Sequence, residues 1–325
     1  MTQNSTPLIL VGGYGFVGRN IIAAVQADTA FAALAPVVID DLSNPAPGHD
    51  DLDLPVHIGS YQEAPAVAFA DNQTTPHSGG GRIFVFLAGE TRVAESRDRP
   101  LDFIEANVVA PSRFVLQAVQ PGDHFVLIST AGALFDGSKP VSVDSPVCPK
   151  NFYGATKASE ELLLKQLVQL RGGRFSVVRL TNVFGPHSDA KKSAVHAFVR
   201  ASLAGNTVTV NGDGGQSRDF IYAGDVGYGV ATLANRLRQG QDVPDICMLG
   251  SGVSTTLMDV VDAVSRVAGK PLPYTRVAAT DLLATEPRDV IADPDDVRVL
   301  LGDKITSFDA GLDMTMAYYR DRPLP

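Results

Sequence analysis

The feature that most constrains this chain is an alternation of short apolar runs with stretches of helical spacing. "LILVGG", "APVVIDD", "RIFVFLAG", "DHFVLIST" and "RFSVVRLTNVFG" are apolar enough for strands buried on both faces. Between them, "VGRNIIAAVQ", "PLDFIEANVVAPSRFVLQAV" and "ATKASEELLLKQLVQL" carry apolar residues at helical intervals. Such strands need cover on both sides, so the pattern predicts an α/β chain with a doubly wound parallel sheet. It assigns 1–180 to the sheet domain and 181–325 mainly to a smaller mixed lobe, with segments near 220–250 returning to the sheet domain. "DNQTTPHSGGGR" predicts a surface loop. In the second half, "GNTVTVNGDGGQSRDFIYAGDVG" predicts a strand, a turn and a second strand. "TTLMDVVDAVSRVAG" and "DPDDVRVLLG" predict helices, the latter capped from among Asp293 to Asp296.

Bulk numbers exclude several classes. The net charge of −9 argues against nucleic acid or an anionic membrane as partner. The two cysteines, Cys148 and Cys247, lie far apart and imply neither a disulfide framework nor a zinc site; no metal is expected. The start lacks the basic region and apolar core of a signal peptide, and no run approaches the roughly 18 apolar residues of a membrane span. The expected location is cytoplasmic.

"VGGYGFVGRN" places Gly12, Gly15 and Gly18 directly after a strand and at a helix start. Glycines there allow a tight turn and let backbone approach a pyrophosphate at the helix N-terminus. The next strand ends in Asp40, about 20 residues on, where a carboxylate suits adenosine ribose hydroxyls and repels a 2′-phosphate. The reading is a Rossmann-type domain that binds NAD rather than NADP.

"NFYGATK" sets Tyr153 and Lys157 one helical turn apart. A free phenol titrates near about 10, too high for a neutral-pH base, but a nearby ammonium favours the phenolate. The strand before it ends "LIST", offering Ser129 and Thr130 at the sheet edge where doubly wound folds bind ligands.

Together these segments resemble the extended short-chain dehydrogenases/reductases, specifically the NAD-dependent nucleotide-sugar epimerase/dehydratase family. "GGYGFVG" resembles its GGxGFIG, "VVIDDLS" its second strand, and "FLAGETRVAESRDRPLDFIEANV" its HLAA segment with the following helix. "STAGALFDG" resembles its serine/threonine segment and "FYGATK" its YxxSK segment, with Thr156 for Ser. "RLTNVFGP", "GDGGQSRDFIYAGDV" and "LGSGVSTTLMDVV" resemble its later landmarks. The resemblance implies that Tyr153 is the base, that Lys157 binds the nicotinamide ribose, and that Thr130 or Ser129 bonds the sugar oxygen. It implies cofactor contacts from Gly12, Gly15, Phe16, Val17, Gly18, Asp40, Leu87, Ala88 and Gly89. Asn107 resembles a mainly structural asparagine beside the cofactor. Substrate contacts are implied for Thr91, Arg92, Asn182, Arg218 and Arg288, the last two as a diphosphate clamp suited to bidentate bonding. The family also implies a homodimer formed through the helices of 100–119 and 155–170.

Departures narrow the reaction. Ala131 and Gly132 stand where 4,6-dehydratases resembling this chain carry Asp-Glu, Phe135 stands for a common Tyr, and this segment is one residue longer. Ser60 replaces an adenine-contacting Asp, and Asn211 replaces a common aromatic. Elimination of water needs an added acid and base; epimerisation needs only oxidation, turnover of the ketone and re-reduction. The expected function is an NAD-dependent epimerase at C4 of a UDP-hexose or UDP-hexuronic acid. Alternatives are a dehydratase, decarboxylase or reductase of the same fold, and a non-catalytic NAD-sensing regulator.

Overall fold

The computed structural model describes residues 5–63, 81–137, 140–189, 193–278, 289–320 and 322. Its main sheet has seven strands, all parallel: β1 (Thr6–Val11), β2 (Leu34–Asp40), β3 (Val56–Ile58), β4 (Ile83–Phe86), β5 (His124–Thr130), β6 (Arg174–Leu180) and β10 (Ile246–Leu249). Their order is β10-β6-β5-β4-β1-β2-β3. Alternation along β1 divides the core: Leu8 and Leu10 join one apolar cluster, Ile9 and Val11 the other. That is the period-2 signature of a sheet buried on both faces. Helices α1 (Phe16–Ala27) and α7 (Ala223–Arg238) pack against each other on one side. On the other side lie α4 (Ala110–Ala118) and α5 (Phe152–Leu170).

Strands β7 (Asn182–Phe184), β9 (Ser217–Tyr222) and β11 (Ser254–Thr256) form a second sheet, and β8 (Val208–Asn211) pairs with β12 (Tyr274–Val277) in a third. Around them lie α6 (Ala194–Ala204), α8 (Leu257–Ala268), α9 (Pro294–Leu301) and α10 (Phe308–Arg320). Asp293 caps α9 by accepting from the Asp295 amide at 2.9 Å.

Three expectations are refined. The apolar run over 174–185 is two strands in two sheets, broken at Thr181, because the chain leaves the main sheet there. The main sheet gains Val56–Ile58 and Ile246–Leu249, runs too short to separate from loops by pattern. The helix predicted over 100–119 is interrupted. After α2 (Val93–Asp98) and α3 (Pro100–Ile104), residues Glu105–Val109 widen into a π turn before α4. Pro111 explains this: it has no N–H, and its ring would crowd the carbonyl four residues back. Most of the glycine-rich loop expected over 71–82 lies outside the described residues.

Candidate functional site

A cleft of about 460 Å³ opens at the carboxyl ends of β1, β4, β5 and β6. This is the edge where doubly wound sheets bind ligands.

Its cofactor end is built from backbone. Gly12 has φ +79°, and a Cβ there would sit 3.0 Å from the Ala88 amide nitrogen. A Cβ on Gly18 would lie 2.4 Å from the Gly13 carbonyl oxygen, so strand turn and helix meet only through glycine. Gly15 caps α1 without a side-chain bond to the helix amides, and no acid occupies the first turn. The N-terminus therefore offers donors and positive potential to an anion. Phe16, Val17, Leu87, Ala88 and Gly89 line the same wall. Asp40 closes β2, is buried, and is not among the residues lining the cleft. Its carboxylate accepts from the amides of Tyr14 and Leu42, each at 2.9 Å. Burial raises its pKa, and those two bonds oppose the rise without prevailing.

The turn after β4 is held by Asn107. Fully buried in the π turn, it accepts from the Glu90 amide at 2.8 Å and donates to the Glu90 carbonyl at 3.0 Å and to Thr156 Oγ1 at 3.2 Å. Asn107 supports the wall without lining it.

The reaction end is built from side chains. Asn151 caps α5, accepting from the Gly154 amide at 2.8 Å. The first turns of that helix then carry Tyr153 and Lys157 into the cleft, both buried. The Thr130 hydroxyl acts on Tyr153 to lower the phenol's pKa, whereas Ser129 Oγ is buried and has no hydrogen-bond partner among the described residues. Both line the cleft, but only Thr130 engages the phenol. Lys157 Nζ donates to the Ile128 carbonyl at 3.1 Å and pairs with Glu160. Burial raises the Tyr153 pKa, and Glu160 adds to this; Lys157 and Thr130 pull the other way without prevailing. Burial works to lower the Lys157 pKa, but Glu160 and then Tyr153 more than offset it, so the ammonium is held.

Among the expected substrate contacts, Thr91, Asn182 and Arg218 line the cleft. Asn182 also donates to the Asp219 carbonyl at 3.2 Å, and Arg218 to the Ser217 carbonyl at 2.9 Å. Arg92 does not line it; it is exposed and paired with Glu95 at 2.5 Å. Arg288 lies outside the described residues. Asn44, Glu90, Val93, Phe184, Ser193 and Phe220 line the cleft without having been singled out from sequence. No spacing rule marks them, because distant segments bring them together. Among the described residues no cluster of metal-ligating side chains occurs.

A sequence profile of the NAD dependent epimerase/dehydratase family matches residues 8–248. The chain belongs to that family. It is an NAD-dependent enzyme, and the glycine cradle and uncapped α1 terminus fit that cofactor. Among its relatives is the low-salt glycan biosynthesis protein Agl12 of Haloferax volcanii, 25% identical over 96% of this chain and 98% of that protein. The UDP-glucose 4-epimerase of Mycolicibacterium smegmatis is 27% identical over 81% of this chain and 83% of its own. The fold matches that of the Thermus thermophilus UDP-glucose 4-epimerase solved with NAD, with TM-score 0.82 at 22% identity, covering 97% of this chain and 99% of that one.

Proposed function

We propose that the chain is a nucleotide-sugar epimerase, acting at C4 of a UDP-hexose or UDP-hexuronic acid. The observation that carries this reading is the reaction end of the cleft, where Tyr153, Thr130 and the Lys157 ammonium meet and the last two both favour the phenolate. Among the described residues, the loop after β5 brings Gly132 and Ala133 to the wall and no acid or base. Relatives named UDP-glucose 4-epimerase and UDP-glucuronate 4-epimerase support it.

In this mechanism Tyr153 accepts the proton of the C4 hydroxyl and later returns it to the product oxygen. Thr130 orients both oxygens by hydrogen bonding. Lys157 stabilises the phenolate and would hold the nicotinamide ribose. Asp40, bonded to the amides of Tyr14 and Leu42, fixes the turn that supports the cofactor wall. Arg218 and Asn182 hold the diphosphate, so the sugar is free to turn while the nucleotide stays fixed. NAD, held by the glycine cradle and the α1 N-terminus, would supply a hydride acceptor for the sugar carbon and a positive charge that favours the phenolate.

One feature favours a second reading. Glu90 is the one carboxylate among the described residues lining the cleft. It would serve as the added acid or base of a dehydratase, the activity named for a Streptomyces antibioticus relative at 28% identity. Incubation with a panel of UDP-, dTDP-, GDP- and CDP-sugars separates the two: an epimerase returns isomers, a dehydratase products lighter by one water. No conversion of any of them would contradict the proposal.

We also propose a homodimer. Leu101, Ile104, Leu116, Leu162, Leu163 and Leu170 are exposed on the α3–α5 side, a larger apolar display than a free surface favours. Light scattering is expected to give twice the chain mass, and Leu162→Glu to weaken the assembly. A monomer at micromolar concentration would refute it. No described helix is long and apolar enough to cross a membrane. The unpaired Cys148 and Cys247 suit the reducing cytoplasm.

A further inference from the structure

The Tyr153–Lys157 pair has a third member that its reaction does not require. Tyr153, Lys157 and Glu160 follow one another at helical spacing on one face of α5. Glu160 is fully buried, an uncommon place for a carboxylate unless it is paired. Its Oε2 meets the Lys157 ammonium, while Oε1 is buried without a hydrogen-bond partner among the described residues. A carboxylate held this way is stabilised by one charge and by little else.

We propose that Glu160 is a positioning residue for the Tyr153–Lys157 pair: its carboxylate balances the ammonium and so controls how readily the phenol gives up its proton. The inference rests on the reading of Tyr153 as the base. A single buried positive charge serves two acids. While Glu160 is ionised it opposes the Lys157 field at the phenol, and a phenolate would add a second negative charge to the pair. When Glu160 takes up a proton, the same ammonium is felt by the phenol. Burial pushes the Glu160 carboxyl up to about 7 against the pull of Lys157, so the exchange falls near neutral pH.

Other groups near Glu160 do not relieve it. Tyr61, in the turn after β3, faces it as a phenol whose own pKa is pushed up by burial and then by Glu160. Neighbouring Glu161 is occupied by Arg179 of β6 at 2.8 Å. Glu105 of the π turn is paired with Arg113 at 2.8 Å. From β5 comes only the Ile128 carbonyl, which binds Lys157 and does not titrate.

The test is tyrosinate absorbance against pH in NAD-saturated protein. Subtracting the Tyr153→Phe variant isolates one phenol among the eight tyrosines. Glu160→Gln keeps the volume and removes the charge, and should move the Tyr153 step to lower pH by about one unit or more. Glu160→Asp keeps the charge and should leave the step where wild type has it. A packing role would reverse that order, since Asp is shorter and Gln is not. Should Gln fail to fold, Glu160→Met makes the same comparison. A step unmoved by Gln or Met, or moved equally by Asp, overturns the role of Glu160 alone. Absence of any Tyr153-dependent step overturns the base and this inference together.

Discussion

The two ends of the cleft are made of different material. At the cofactor end the contact surface is backbone, and glycines are required because a Cβ at Gly12 or Gly18 would press on neighbouring main chain. At the reaction end it is side chains, and their behaviour depends on buried charges from one another. At Gly12 and Gly18 the first end leaves no room for a Cβ; the second depends on charge and protonation. Substitutions at the two ends should therefore fail in different ways.

The largest effect is expected at the reaction end. Tyr153→Phe removes the proton acceptor and keeps the ring, so turnover should drop by about 10² to 10⁴, the usual contribution of positioned proton transfer. NAD retention and thermal stability should stay near wild type. Loss of NAD instead would mean that the tyrosine is part of the cofactor cradle.

Arg218→Ala should follow. Loss of one charge-assisted bond costs roughly 1.5–3 kcal/mol, or about ten- to a hundredfold, read in KM with kcat little changed. An unchanged KM would move the diphosphate elsewhere.

Gly12→Ala probes the other end. A left-handed residue with a side chain costs roughly 1–3 kcal/mol, and contact with Ala88 adds to it. Calorimetry should show a lower Tm together with weaker NAD binding. Weaker binding at unchanged Tm would show that this turn is not confined by packing.

The smallest effect is a pH dependence remote from both ends. Burial lowers the His124 pKa to about 4 from the ordinary 6.5, while its Nε2 lies 3.0 Å from Ser176 Oγ. The unfolded chain binds that proton first, so stability is full above about pH 6.5 and falls as pH drops towards 4, by at most about 3 kcal/mol. His124→Leu should flatten part of this slope in urea unfolding; an unchanged slope would assign it to other groups, His187 among them.

The same contrast explains what the sequence made legible. The cofactor end was readable because its glycines sit within one strand–turn–helix, and the apolar runs of β1, β2, β4 and β5 placed it. At the reaction end Tyr153 and Lys157 were readable as neighbours on one helix. The choice between Ser129 and Thr130 was not, because it depends on which hydroxyl the strand turns towards a phenol from another element. Glu160 lies on the same helical face as Tyr153 and Lys157, yet nothing in the spacing shows that it is fully buried. Phe184, Ser193 and Phe220 carried no signal, since the break after β6 that brings them to the cleft is hidden inside one apolar run. Pro111 marked the interruption of the helix over 100–119, but as a tolerated first-turn residue it reads equally well as a helix start.

The central claim, that Tyr153 drives a C4 epimerisation within this cleft, is tested most directly by mass spectrometry of the product made in heavy water. An epimerase that takes and returns the same hydrogen should yield a sugar isomer of unchanged mass without carbon-bound deuterium, and Tyr153→Phe should yield almost none. A product lighter by one water, or one carrying carbon-bound deuterium, would contradict the account and assign the chemistry to elimination, with Glu90 as the first residue to examine.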